Sequence, residues 1–107
     1  MEYNQISNDE YRKYFDSHRI NYFDNKELVY INEKFKEYNV RSSNKWHLKN
    51  HIIDSNTYTI FVYEKKRILS IDKLEDEWFL VCDIVNRNIY KCDQFEGLVN
   101  CIEKIQI

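Results

Sequence analysis

Apolar positions change their period along this chain. Tyr11, Tyr14 and Phe15 recur at helical spacing and predict a first helix from Asn8 to about His18. Leu28, Ile31, Phe35 and Tyr38 form one stripe, with Glu33, Lys34, Lys36 and Glu37 mostly off it. That stripe predicts a second helix ending near Asn39. The period then drops to two, and β-branched and aromatic residues become dense. Thr57–Glu64, Ile68–Leu74, Glu77–Val85 and Asn88–Cys92 read as strands. Trp46–Ile53 alternates as a strand through Trp46, Leu48 and Ile52, yet also tolerates a helical reading; the turn residues Asp54, Ser55 and Asn56 directly after it favour strand. Phe95, Leu98, Val99, Ile102 and Ile105 predict a third helix from Gln94 to about Lys104.

Each helix start carries a capping-box pattern, in which a cap side chain accepts from the third helical N–H and an acidic side chain reaches back. The three are Ser7–Glu10, Asp24–Glu27 and Asp93–Glu96. Short turns between consecutive strands imply an antiparallel meander. The expected fold is a single α+β domain over residues 1–107. Its sheet has four to five antiparallel strands, two helices precede the sheet and one follows it, and the order is ααβββββα. The expected core comprises Leu28, Ile31, Phe35, Ile60, Val62, Trp78, Leu80, Ile84, Leu98 and Ile102.

A length of 107 residues leaves room for one domain, and 43% hydrophobic residues suffice for a core. One glycine, no proline and no alanine leave turns to Asn, Asp and Ser, and the bias implies an AT-rich coding sequence. A net charge of −2 disfavours a strongly basic nucleic-acid binder, though not a local patch. No apolar run reaches membrane-spanning length, and the N-terminus lacks the basic and apolar regions of a secretory signal. Cys82, Cys92 and Cys101 are odd in number and widely spaced, which reads as reduced thiols in a cytoplasmic protein.

The stretch Asp76 to Val81, followed by Tyr90 to Leu98, resembles a C-terminal pattern in short uncharacterised proteins of giant DNA viruses with AT-rich genomes. The resemblance covers the last third of the chain. It implies a viral protein of the host cytoplasm or the virion, and a strand–turn–strand–capped-helix unit; it transfers no site residue. In outline the element order is also similar to frataxin-like iron-binding domains. Their acidic helix edge is replaced here by Lys26, Lys34 and Lys36 among Glu27, Glu33 and Glu37.

Candidate chemistry is sparse. His47 and His51 would share one metal on a helix but stand apart on a strand. Asp54 with Glu64 and Lys66 matches the spacing of a metal-dependent nuclease core, although charged residues belong at strand ends anyway. Cys82 lies in an apolar run that disfavours its thiolate, and one glycine excludes a Gly-rich phosphate cradle. Tyr58, Phe61 and Tyr63 beside Lys65, Lys66 and Arg67 suggest a base-stacking surface. Core packing is the better reading of those aromatics, which alternate with Ile60 and Val62, and nucleic acid is disfavoured as a partner. No cofactor and no catalysis are expected.

The strand alternation supplies one further expectation. A half-wet sheet alternates cleanly between apolar and polar residues. Here Phe79 and Val81 oppose Trp78, Leu80 and Cys82, while Phe61 and Tyr63 oppose Ile60 and Val62. Both faces want cover. The pattern predicts a non-catalytic protein-binding or structural module in which Phe61, Tyr63, Phe79 and Val81 line one face. That face would take a partner protein or a second copy, unless the first helix closes over it.

Overall fold

The computed structural model describes residues 3–17, 20–41, 46–53, 56–64 and 67–104. Its elements are β1 (Tyr3–Ile6), α1 (Asn8–Ser17), β2 (Ile20–Asn21), α2 (Asn25–Arg41), β3 (His47–Ile53), β4 (Asn56–Glu64), β5 (Arg67–Leu74), a 3₁₀ turn (Glu75–Glu77), β6 (Trp78–Asp83), β7 (Asn88–Asp93) and α3 (Gln94–Lys104). Three helices accompany one antiparallel sheet in the order β1-β7-β6-β5-β4-β3. The two-residue β2 pairs with β5 beyond the point where the β4 ladder stops, at Thr59 opposite Asp72. No helix among the described residues is long and apolar enough to cross a membrane.

While β1 and β2 take the sheet beyond the expected four to five strands, the α+β class and the consecutive strands β3 to β7 follow the sequence pattern, including Trp46–Ile53 as strand. The order ααβββββα does not, because β1 and β2 each precede a helix. Both are too short to show an alternation, and distant partners stabilise them. Tyr3 to Ile6 pair with Cys92 to Ile89, and Ile20 and Asn21 pair with Leu74 and Lys73. The antiparallel pairings make β1 and β2 run in the same direction, so β1–α1–β2 is a crossover that carries α1 across the sheet.

Two of the three capping boxes form. Glu10 N–H donates to Ser7 Oγ at 3.2 Å and Ser7 N–H to Glu10 Oε1 at 3.4 Å. Glu27 N–H donates to Asp24 Oδ1 and Asp24 N–H to Glu27 Oε1, both at 2.8 Å. The third does not form. Asp93 still belongs to β7, its carboxylate accepts from Lys91 Nζ at 3.0 Å, and Gln94 starts α3 with a left-handed φ of 59°. Turns follow the expectation in part: Asp76 holds a left-handed φ and Asn86 bonds Asp83 in the β6–β7 turn, but among the described residues Glu77, Arg87 and Gln94 are left-handed too, while the single glycine, Gly97, is buried inside α3.

One sheet face carries the main core. Ile60, Val62, Leu69, Ile71, Phe79, Val81 and Cys92 meet Ile31 and Phe35 of α2 and Leu98, Cys101 and Ile102 of α3. Tyr30 and Tyr38 of α2 donate their hydroxyls to the carbonyls of Val99 and Ile102, which ties the two helices together. Asn39 holds both backbone groups of Trp46, accepting from its N–H at 2.6 Å and donating to its carbonyl at 2.9 Å. That side chain therefore mimics a strand neighbour where α2 gives way to β3. Of the expected core, Leu28 and Trp78 are only partly buried, and Ile84 is exposed because β6 ends at Asp83 and Ile84 opens the turn.

Candidate functional site

Cross-strand register decides what stands beside what. Phe61 pairs with Ser70, and Ser70 with Cys82; Ile60 pairs with Ile71, and Ile71 with Val81. Directly paired residues share a face, because side chains alternate along each strand. Phe61 and Tyr63 therefore share the second face with Trp78, Leu80 and Cys82. Phe79 and Val81 lie on the first face and are fully buried beneath α2 and α3. The four residues expected on one face are split between two. Alternation within single strands left the offset between strands open, and a one-residue offset exchanges the faces.

Helix α1 covers part of the second face. It runs from the β1 edge toward β5, and Tyr14 meets Trp78 edge-on at 5.5 Å. Lys91 Nζ sits 3.7 Å from the centre of the Trp78 ring and 5.3 Å from that of Tyr14, a cation held between two aromatics. Leu74, Leu80 and Ile89 are buried on this half. The β3–β4 half lacks such cover. Tyr63 is 41% exposed and Ile68, its partner across the ladder, 38%. Ile84 N–H donates to the Ile68 carbonyl at 2.9 Å, and Ile84 and Val85 extend the corner at 45% and 53% exposure. Phe61 is half-buried, and exposed His47 and Lys49 pair with Tyr63 and Phe61 from the edge strand. The His47 and Tyr63 rings are 5.5 Å apart and tilted by 32°.

Between the covered and open halves runs a polar seam. Thr59 Oγ1 donates to Asp72 Oδ1 at 2.6 Å, and Ser70 and Cys82 continue the seam along β5 and β6. Burial raises the Asp72 carboxyl above its ordinary value despite the Thr59 hydrogen bond. Burial, with the nearby Asp72 and Cys82, pushes the Tyr11 hydroxyl to about 12. The Cys82 thiol is raised by burial and then by Asp72 and Asp83, with a Ser70 hydrogen bond opposing. In all three groups burial disfavours the charged form, and Thr59 and Ser70 supply hydrogen bonds to Asp72 and Cys82 along the seam.

The remaining sequence candidates disperse. His47 and His51 stand four residues apart on β3, separated by about 13 Å of strand. Glu64 closes β4, roughly 25 Å from the strand's start at Asn56 by strand rise, and it lies on the first face opposite Arg67. Asp54, Lys65 and Lys66 lie outside the described residues. Arg67 is also on the first face rather than beside Phe61 and Tyr63; its guanidinium donates to Asp83 Oδ2 at 2.7 Å and stands 5.8 Å from the centre of the Trp46 ring. Among the described residues no group of three or more His, Cys, Asp and Glu side chains is arranged to hold a metal ion. Ile68 and the His47–Tyr63 pair were missed in the sequence, because only the register reveals them.

Comparison of the chain with protein-family models, with curated proteins and with solved structures finds no match.

Proposed function

We propose that the protein is a non-catalytic binding module that docks a protein partner, a second copy of itself included, on the open half of the second sheet face. One observation carries this reading. Tyr63, Ile68, Ile84 and Val85 remain substantially exposed at one corner, while α1 covers only the half of that face around Trp78 and Ile89. Contiguous apolar surface of this kind is a common mark of interaction sites. Among the described residues β3 ends the sheet order, so a partner contacting the face also meets a strand edge. Sedimentation velocity over a wide concentration range tests the proposal. Association is expected, and Tyr63→Glu should abolish it with unchanged far-UV circular dichroism. A wild type monomeric throughout, together with a Tyr63→Glu variant that fails to fold, would reject the surface.

A second reading is single-stranded nucleic acid. It is supported by the pairing of the basic edge residues His47 and Lys49 with Tyr63 and Phe61. Aromatics on an open sheet can stack bases while neighbouring cations hold phosphates. A fluorescent single strand whose binding weakens steeply with salt and with Lys49→Glu would favour this reading over the protein partner.

A further inference from the structure

The three cysteines, unremarkable by their spacing, are sorted by the fold into two environments. Cys92 lies on the first face of β7, where its register neighbours are Tyr3 and Phe79. Cys101 projects from α3 among Gly97, Leu98 and Ile102, the side of that helix turned to the sheet. Both are free thiols, both are completely buried, and both belong to one core cluster. Helix α3 packs on β7, so both thiols lie in the layer between that helix and the sheet, and Cys101, then burial, holds the Cys92 thiol far above its ordinary value. Cys82 faces the other way, toward the Ser70–Asp72 seam, with the thickness of the sheet between it and this pair.

We infer that Cys92 and Cys101 form a latent disulfide that staples α3 to β7 when the chain folds in an oxidising medium. The chemistry is ordinary thiol–disulfide exchange with a small-molecule disulfide as oxidant. One protein thiolate attacks that disulfide, forming a mixed disulfide and releasing one small thiolate. The second protein thiolate then attacks the protein sulfur of the mixed disulfide. The Cys92–Cys101 bond forms, the second small thiolate leaves, and the two protein protons pass to solvent or to the released thiolates. The protein is oxidised by two electrons and the small disulfide is reduced to two thiols.

Burial sets the timing. The attacking species is the thiolate, and neither thiol is accessible in the docked state. Closure therefore precedes docking of α3, and the finished reduced protein resists the same reagent. The bond closes a short loop around the β7–α3 junction, the segment in which the expected Asp93–Glu96 cap is absent. A cross-link there replaces part of what the missing cap would contribute to holding α3.

The test is refolding from urea in a glutathione redox buffer, compared with treatment of the folded, reduced protein by oxidised glutathione alone. Refolding should yield a monomer lighter by two hydrogens, a 92–101 cross-linked peptide and one remaining titratable thiol, Cys82. Its thermal midpoint should exceed that of the reduced protein by about 10 °C. The folded, reduced protein should react far more slowly. A Cys82→Ser chain should behave identically and rule out rearrangement through the third thiol. Three free thiols after oxidative refolding would overturn the inference, as would a cross-link involving Cys82 or an oxidised form less stable than the reduced one.

Discussion

Lys73 donates to Glu27 Oε1 at 2.9 Å in the interior, and the same oxygen accepts the Asp24 N–H at 2.8 Å. One carboxylate oxygen thus caps α2 and neutralises a lysine of the central strand β5. The ammonium also stands 5.8 Å from the centre of the Phe79 ring. A buried ion pair is costly to break on one side, because the remaining charge stays desolvated. Glu27→Gln should cost about 3 kcal/mol in urea unfolding. Adding Lys73→Met should recover much of that loss, leaving mainly the weakened cap. A double variant as unstable as the sum of the singles would show that the pair does not couple.

Asp72 gives a pH-dependent prediction. Its folded carboxyl holds a proton above the ordinary value of 3.8, so the native state binds more protons than the unfolded state in that window. Wild-type stability from this group therefore falls as pH rises through the raised value. Asp72→Asn keeps an acceptor for Thr59 without the charge. It should be more stable than wild type at neutral pH, and the gain should vanish as pH falls below the unfolded value. A gain that is independent of pH would refute the account.

Asp83 behaves in the opposite sense. Burial alone would raise it, but Asn86 and Arg67 outweigh burial and lower the carboxyl below 3.8. Its contribution is complete above the unfolded value and is lost as pH falls through the folded one. Asp83→Asn should cost about 2 kcal/mol at neutral pH, and the deficit should shrink in acid. Equal deficits at neutral pH and in strong acid would contradict it.

The two sheet faces make a paired prediction. Phe79→Ala empties a site in the closed core and should cost about 3–5 kcal/mol. Tyr63→Ala, on the open half, should change stability by about 1 kcal/mol or less. Urea midpoints decide between this arrangement and a register shifted by one residue, which would exchange the two results.

Arg87 is exposed and holds a left-handed φ of 59° at the β6–β7 turn. Arg87→Gly removes the clash of Cβ with the backbone at the expense of greater freedom in the unfolded chain. The net effect should be a gain of about 0.5–1 kcal/mol, seen as a higher urea midpoint. A loss of stability would place the strain elsewhere.

Much of the local architecture was legible in the chain. The boxes at Ser7–Glu10 and Asp24–Glu27, the stripe of Ile31 and Phe35, and the alternation through Ile60 and Val62 each rest on neighbours a few residues away. Local hydrogen bonding and periodicity suffice for them. The candidate surface was legible only in part. Phe61 and Tyr63 were recognised as apolar residues needing cover, and they do lie on the incompletely covered face. Phe79 and Val81 were assigned to the same face and belong to the other.

The tertiary structure decided what depends on partners distant in sequence. Strands β1 and β2 exist because Cys92 and Leu74 stand opposite Tyr3 and Ile20. The Asp93–Glu96 box is replaced because β7 extends to Asp93 in pairing with Trp78. Cys92 and Cys101 meet because α3 folds back over its own strand. Alternation states which residues of one strand share a side, but it carries no information on how adjacent strands are offset. That offset is set by long-range hydrogen bonding and by the helices that bury one side, and a single step exchanges core and surface throughout a strand.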